Sequence, residues 1–217
     1  MDDALHQRLA SGPLEDLRED ARILDSEVVY HGRVWDIRAD RVRMAGSEFT
    51  REYTDHTGAV AILAQDDEGR VLLINQYRHP IRRRDWELPA GLLDVEGEDP
   101  LDAAKRELAE EADLTAERWQ PLTEFTTSPG GSDERIHLYL ARGLADARSD
   151  FARVEEEAEI VPRWVSLDEV VQAVLDGRLH NSILMIGVLA LHARRGSLPA
   201  GADGAGADDA GADGTGA

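Results

Sequence analysis

The least free stretch of this chain is residues 88–114, LPAGLLDVEGEDPLDAAKRELAEEADL. Asp99 can cap a helix whose first residue is Pro100, since proline lacks the N–H that a first turn leaves unpaired and already holds a helical φ. Leu101, Ala104, Leu108 and Ala112 then recur at helical spacing and form one apolar stripe, so this helix must lie against another element. Beside the stripe, Glu107, Glu110 and Glu111 stand at i, i+3 and i+4, which places three carboxylates on one face. Two readings are open for such a face. It can be a solvated acidic surface, or a set of hard oxygen donors of the kind that Mg²⁺ takes. The flanks favour the second. Gly91, after Leu88-Pro89-Ala90, predicts a tight strand-to-loop turn whose carbonyls face the metal, and Glu98 can tie the loop back to the helix through an ion pair with Arg106.

These residues resemble the Nudix box, in which Gly, five residues, Glu, seven residues, Arg-Glu, an aliphatic, any residue, Glu-Glu, any residue, Gly and an aliphatic follow in order. Gly91, Glu98, Arg106, Glu107, Leu108, Glu110, Glu111 and Leu114 fill that pattern. Two positions depart from it. Six residues separate Gly91 from Glu98, an insertion that falls in the loop, where one more residue disturbs little. Asp113 replaces the usual Gly before Leu114, at a helix end that wants φ > 0, a conformation Asp tolerates better than most residues.

Around this helix the sequence alternates strand and helix signals. Residues 28–30, 34–38 and 41–44 are β-type runs separated by His31-Gly32 and by other short breaks, and Ala45-Gly46 reads as a turn, which predicts a small antiparallel unit. Residues 58–63 and 71–76 are apolar runs flanking Asp66-Asp67-Glu68-Gly69, a hairpin-like signature. Strand segments are expected at 122–125, 136–140 and 161–165, and helices at 167–175 and 182–192, the second apolar on most of its faces. Up to about Ile23 the alternation of acidic and apolar patches suggests a loose helix. Residues 201–217 contain only Gly, Ala, Asp and one Thr, and so lack the large apolar groups that would offset the entropy of ordering them. The expected fold is α/β (α+β), a layered domain over one core. The resemblance specifies it as a Nudix α/β/α sandwich with a small N-terminal antiparallel β subdomain. The expected divisions are 1–26, partly helical or disordered; 27–56, the β subdomain; 57–198, the hydrolase domain; and 199–217, a disordered tail.

The resemblance extends over most of residues 28–192 and is to the ADP-ribose pyrophosphatases in particular. Its further motifs are Gln76-Tyr77-Arg78, Trp86-Glu87 before Leu88, Ser128-Pro129-Gly130 with Ser132-Asp133-Glu134, and Asn181-Ser182. It implies Mg²⁺-dependent hydrolysis of ADP-ribose to AMP and ribose 5-phosphate. Glu107, Glu110, Glu111 and the Ala90 carbonyl would hold Mg²⁺ or Mn²⁺, with Arg106 and Glu110 in the catalytic machinery. Arg78, Arg84, Glu87, Ser132 and Glu134 would contact substrate. Independently, Arg78, Arg82, Arg83 and Arg84 are the densest basic cluster of the chain, placed where a diphosphate needs its charge offset. Trp35, in the expected β unit, is either core or, as the resemblance implies, the aromatic that stacks on the adenine of the partner subunit's substrate. The catalytic base is assigned to the acidic run 154–159, where Glu157 fits the family spacing best and Glu156 second. The resemblance also implies a homodimer with exchanged N-terminal units.

Charge and composition exclude several other classes. A net charge of −20 leaves no surplus of Lys and Arg for a phosphate backbone, which argues against a nucleic-acid partner. There are no cysteines, hence no disulfides and no thiolate metal site. No apolar stretch approaches the ~20 residues that cross a bilayer, and no leader is evident, so a cytoplasmic enzyme without membrane partners is expected. Two other functions stay open: hydrolysis of another nucleoside diphosphate derivative such as a nucleotide sugar or NADH, and a catalytically silent module that senses ADP-ribose.

Overall fold

The computed structural model describes residues 13–147 and 159–195. Their contacts fall into two compact units, Met1–Thr54 and Asp55–Ala217. The N-terminal unit is a three-stranded sheet in the order β1-β2-β3, formed by β1 (Arg22–His31), β2 (Asp36–Met44) and β3 (Ser47–Asp55). Here β1 takes up the end of the segment expected to be helical, because its residues pair edge to edge with β2 from Arg22 onward. The two runs expected at 34–38 and 41–44 are one strand. Asp40 interrupts the apolar pattern without interrupting the ladder: it is buried in β2 and accepts a hydrogen bond from the Tyr53 hydroxyl at 3.2 Å. Trp35 falls outside any strand, in the β1–β2 connection. A Cβ on Gly32 there would come within 2.0 Å of the Trp35 carbonyl, so this turn admits only glycine.

The second unit holds two sheets. One has the order β7-β4-β9-β8, from β4 (Ala59–Ala64), β7 (Ala90–Leu92), β8 (Leu114–Thr126) and β9 (Arg135–Asp146). The other has the order β10-β5-β6, from β5 (Arg70–Arg78), β6 (Arg83–Glu87) and β10 (Val161–Ser166). Strands β4 and β9 run parallel, while the other pairings within these sheets are antiparallel. Residues 58–76 therefore do not make the hairpin that their turn suggested. Gln65 and Val71 share one isolated bridge, after which β4 and β5 part into different sheets. The cause is their composition. All six residues of β4 are buried, so this strand needs a neighbour on each edge and cover on each face, which one hairpin partner cannot supply.

The helices supply that cover. Val60, Ile62 and Ala64 of β4 pack with Ala103, Ala104 and Leu108 of α1 (Pro100–Ala112). Ala59, Ala61 and Leu63, pointing the other way, pack with Val170 and Val174 of α2 (Leu167–Leu175) and with Leu184, Val188 and Leu191 of α3 (Ser182–Arg195). The period of two along one strand thus divides the core into two layers, with a helical layer on each side of the sheet. Helix ends follow local chemistry. Asp99 accepts from the Leu101 N–H at 2.8 Å, Ser166 from the Glu169 N–H at 3.2 Å and the Asn181 side chain from the Leu184 N–H at 3.0 Å. Asp113 ends α1 in the left-handed region, at φ 54° and ψ 36°.

Candidate active site

The expected ligand helix is α1, and its carboxylates sit where β7 crosses it. Gly91 is not a turn residue. It lies in β7 opposite Val60, and its missing side chain has another use. A Cβ at Gly91 would stand 2.0 Å from the Glu107 carboxyl carbon, so the glycine exists to let that carboxylate press on the strand backbone. One residue earlier, the Ala90 N–H donates to Glu111 Oε2 at 2.9 Å. The extra loop residue is absorbed in a turn closed by the Glu98 N–H on the Val95 carbonyl at 3.1 Å, with Gly97 at φ 79°. That turn brings Glu98 onto Arg106.

Arg106 organises the acids. Its Nε and Nη2 donate to the two oxygens of Glu98 at 3.2 and 3.1 Å, and its Nη1 reaches Glu107 at 2.5 Å and Glu110 at 3.2 Å. Three carboxylates thus share one guanidinium in a part-buried place. The electrostatics record the crowding. Burial holds Glu107 above the usual carboxylate range despite the opposing pull of Arg106, and Glu110 and Asp94 push it the same way as burial. Glu98, above all, raises the pKa of Arg106. Among the described residues no three Asp, Glu or His side chains stand together as a finished metal cage. The donor chemistry nevertheless fits a hard divalent cation: the available atoms are carboxylate oxygens, crowded round a single arginine and pressed against backbone.

Beside this helix a cleft of about 330 Å³ is lined by Arg78, Asp85, Glu87, Leu88, Ala90 and Asn181, together with Pro80, Ile81 and Ile183. Arg78 grips Glu87 with two parallel hydrogen bonds, 2.9 and 2.7 Å, and the Glu87 side chain is only 5% exposed. Asp85 and Glu87, two apart on β6, face the same side. Arg84 points elsewhere and meets Glu159 through its guanidinium. Ser132 and Glu134 lie in the loop before β9. The Ser132 hydroxyl oxygen accepts from the Glu134 N–H at 3.1 Å, and the Glu134 carboxylate takes a hydrogen bond from the Thr127 hydroxyl and pairs with His56 Nε2 at 3.3 Å.

Of the residues singled out from the sequence, the structure brings Ala90, Glu107, Glu110, Glu111 and Arg106 together on one side of β7, and Arg78 and Glu87 into the adjoining cleft. Trp35 belongs to the N-terminal unit. Glu156 and Glu157 lie outside the described residues. Sequence reasoning missed Asp85, Pro80 and Ile81 of the cleft, though the period of two from Glu87 pointed to Asp85. It also missed His56, whose partners Asp133 and Glu134 lie 77 and more residues away, beyond the reach of any local pattern.

Comparison with known proteins agrees with this geometry. The NUDIX domain model matches residues 55–184. An ADP-ribose pyrophosphatase of Mycobacterium tuberculosis (strain ATCC 25618 / H37Rv) is 47% identical over 175 residues, covering 80% of this chain and 84% of that protein. A methanol dehydrogenase activator of Bacillus methanolicus is 36% identical over 168 residues, covering 77% and 90%. Among solved structures, one described as an ADP compounds hydrolase superimposes with a TM-score of 0.70 at 18% identity, covering 84% of this chain and 98% of that one, which attests the shared fold. With the box of β7 and α1 built as described and the domain model spanning most of the second unit, the chain belongs to the Nudix family.

Proposed function

We propose that this protein hydrolyses ADP-ribose to AMP and ribose 5-phosphate, using Mg²⁺ or Mn²⁺ held by Glu107, Glu110, Glu111 and the Ala90 carbonyl. The observation that carries the reading is the packing of the Glu107 carboxylate on Gly91, next to a cleft with an arginine-carboxylate pair. The 47% identity to a protein named ADP-ribose pyrophosphatase supports the choice of substrate.

When bound, the cation lowers the pKa of water and offsets charge on the diphosphate. The residues of the chain do the rest. Arg106 holds Glu98, Glu107 and Glu110 in one place, so the acidic side chains enter the reaction already oriented. Glu111, tied to the Ala90 N–H, fixes the strand to the helix. Arg78, locked by Glu87, presents its outer face to the cleft and offers positive charge to the diphosphate, whereas Arg84 is taken up by Glu159. Glu134 and Ser132 accept from substrate hydroxyls, and Trp35 of one subunit stacks on the adenine of the substrate bound by its partner. Glu157, or else Glu156, takes the proton of the attacking water. One P–O bond of the diphosphate breaks as water adds, leaving one phosphate on each product.

The protein is further proposed to act in the cytoplasm as a homodimer without nucleic-acid or membrane partners. Exposed apolar residues of the N-terminal unit, Val29, Tyr30 and Val34 among them, and the charge of −20 support this. A panel of ADP-ribose, NADH, nucleotide sugars and 8-oxo-dGTP with Mg²⁺ tests the substrate, with AMP and ribose 5-phosphate expected in equal amounts from ADP-ribose. Glu111→Gln should stay folded and lose about three orders of magnitude in turnover, as expected when a charged group of a preorganised site is removed. Near-normal turnover in that variant overturns the metal assignment.

A further inference from the structure

We propose that His56 is a positioning residue, which sets the Glu134 carboxylate for substrate and binds its loop to the box. The side chain of His56 is 6% exposed, so it cannot itself meet a ligand, whereas that of Glu134 is 24% exposed and has lone pairs to spare. The inference rests on the reading above in which Glu134 contacts the substrate.

The geometry is a chain of polar contacts. The Gly58 N–H donates to His56 Nδ1 at 2.9 Å, so the ring proton sits on Nε2, which faces Glu134 Oε1 at 3.3 Å. The other carboxylate oxygen receives the Thr127 hydroxyl. The His56 backbone adds a second tie to the same loop, its N–H donating to Asp133 Oδ1 at 2.8 Å. On the far side of Gly58 the chain continues: its carbonyl accepts from the Leu93 N–H at 3.1 Å, two residues beyond Gly91. Gly58 has φ +84°, and a Cβ there would press on the Arg135 carbonyl at 3.3 Å, so no other residue can hold this link without strain. Residues 127–134 and the start of the box loop are therefore joined through one imidazole. A Glu134 left without it would keep its charge but lose its direction.

The two ring nitrogens can be removed separately. In His56→Asn the amide oxygen can replace Nδ1 toward Gly58 but cannot reach Glu134. In His56→Gln the amide nitrogen can replace Nε2 toward Glu134 while the bond from Gly58 is lost. With ADP-ribose and Mg²⁺, His56→Asn should raise KM about tenfold with kcat changed far less, the loss of one charge-assisted bond. His56→Gln should keep KM within about twofold of the parent. Glu134→Gln should raise KM at least as much as His56→Asn. Combining His56→Asn with Glu134→Gln should be no worse than Glu134→Gln alone, because the histidine acts only through that carboxylate. If the two effects multiply, or if His56→Asn and His56→Gln lose equally, His56 is a fold element only and the inference falls. If Glu134→Gln leaves KM unchanged, the placement of Glu134 against substrate fails instead. Melting temperatures of all these variants separate folding losses from the outcomes above.

Discussion

At the scale of single residues, Glu107 shows how far the site departs from what stability alone would select. Burial raises its pKa in the folded state, so the folded protein binds that proton more tightly than the unfolded chain does. Its contribution therefore favours the fold below the ordinary carboxylate pKa and turns against it as pH rises through the carboxylate range. In EDTA, Glu107→Gln should raise the melting temperature near neutral pH and flatten its fall between acid and neutral pH, while turnover with Mg²⁺ collapses. A Glu107→Gln variant that melts lower than the parent at every pH would contradict this. Gly91→Ala is the reciprocal case. A methyl group within 2.0 Å of the Glu107 carboxyl carbon must displace it, and kcat/KM should drop by about two orders of magnitude, the scale of a misplacement of about an ångström. Position 91 is legible in the sequence as a required glycine, but for the wrong cause. The sequence points to a turn, whereas the constraint comes from a side chain sixteen residues on, which only the folded chain brings near.

Elements are legible in proportion to how local their causes are. The helix Pro100–Ala112 announces itself through Asp99, Pro100 and the stripe of Leu101, Ala104 and Leu108, all within one segment. The helix Leu167–Leu175 is legible for the same kind of reason, with Ser166 as its cap. The separation of β4 from β5 is not, because turn chemistry at Asp66 and Gly69 says only that the chain reverses, not which edges then meet. The end of α1 offers a test at this scale. Asp113 holds a left-handed backbone that glycine adopts freely, so Asp113→Gly should stabilise the protein by roughly 0.5–1 kcal/mol in denaturant titration. Activity should be unchanged, since α1 keeps its register.

For the molecule as a whole, negative charge is the dominant quantity. A chain at −20 that still gathers Glu98, Glu107 and Glu110 round a single guanidinium concentrates acid where a divalent cation would relieve it. Removing divalent ions with EDTA should abolish hydrolysis while leaving the secondary structure seen by circular dichroism intact, because neither apolar layer includes these carboxylates. Restoring Mg²⁺ at about 100 times its dissociation constant should then stabilise the fold by about 2.7 kcal/mol, seen as a higher melting temperature. A melting temperature indifferent to Mg²⁺ would place the ion elsewhere or nowhere. The layered fold can be anticipated from alternating strand and helix signals. The tie of Glu98 to Arg106 can be anticipated as well, but not that the same guanidinium also reaches Glu107 and Glu110, since that depends on how the helix seats against β7.

The close seat of Glu107 on β7 also links two positions in descent. In a library randomised at 91 and 107 together and selected for turnover, only glycine should survive beside glutamate. Selected merely for a folded, soluble product, the same library should let larger residues enter at 91 as soon as 107 shortens to alanine or serine. Sequencing of the two pools would show whether the pair drifts as one character or as two.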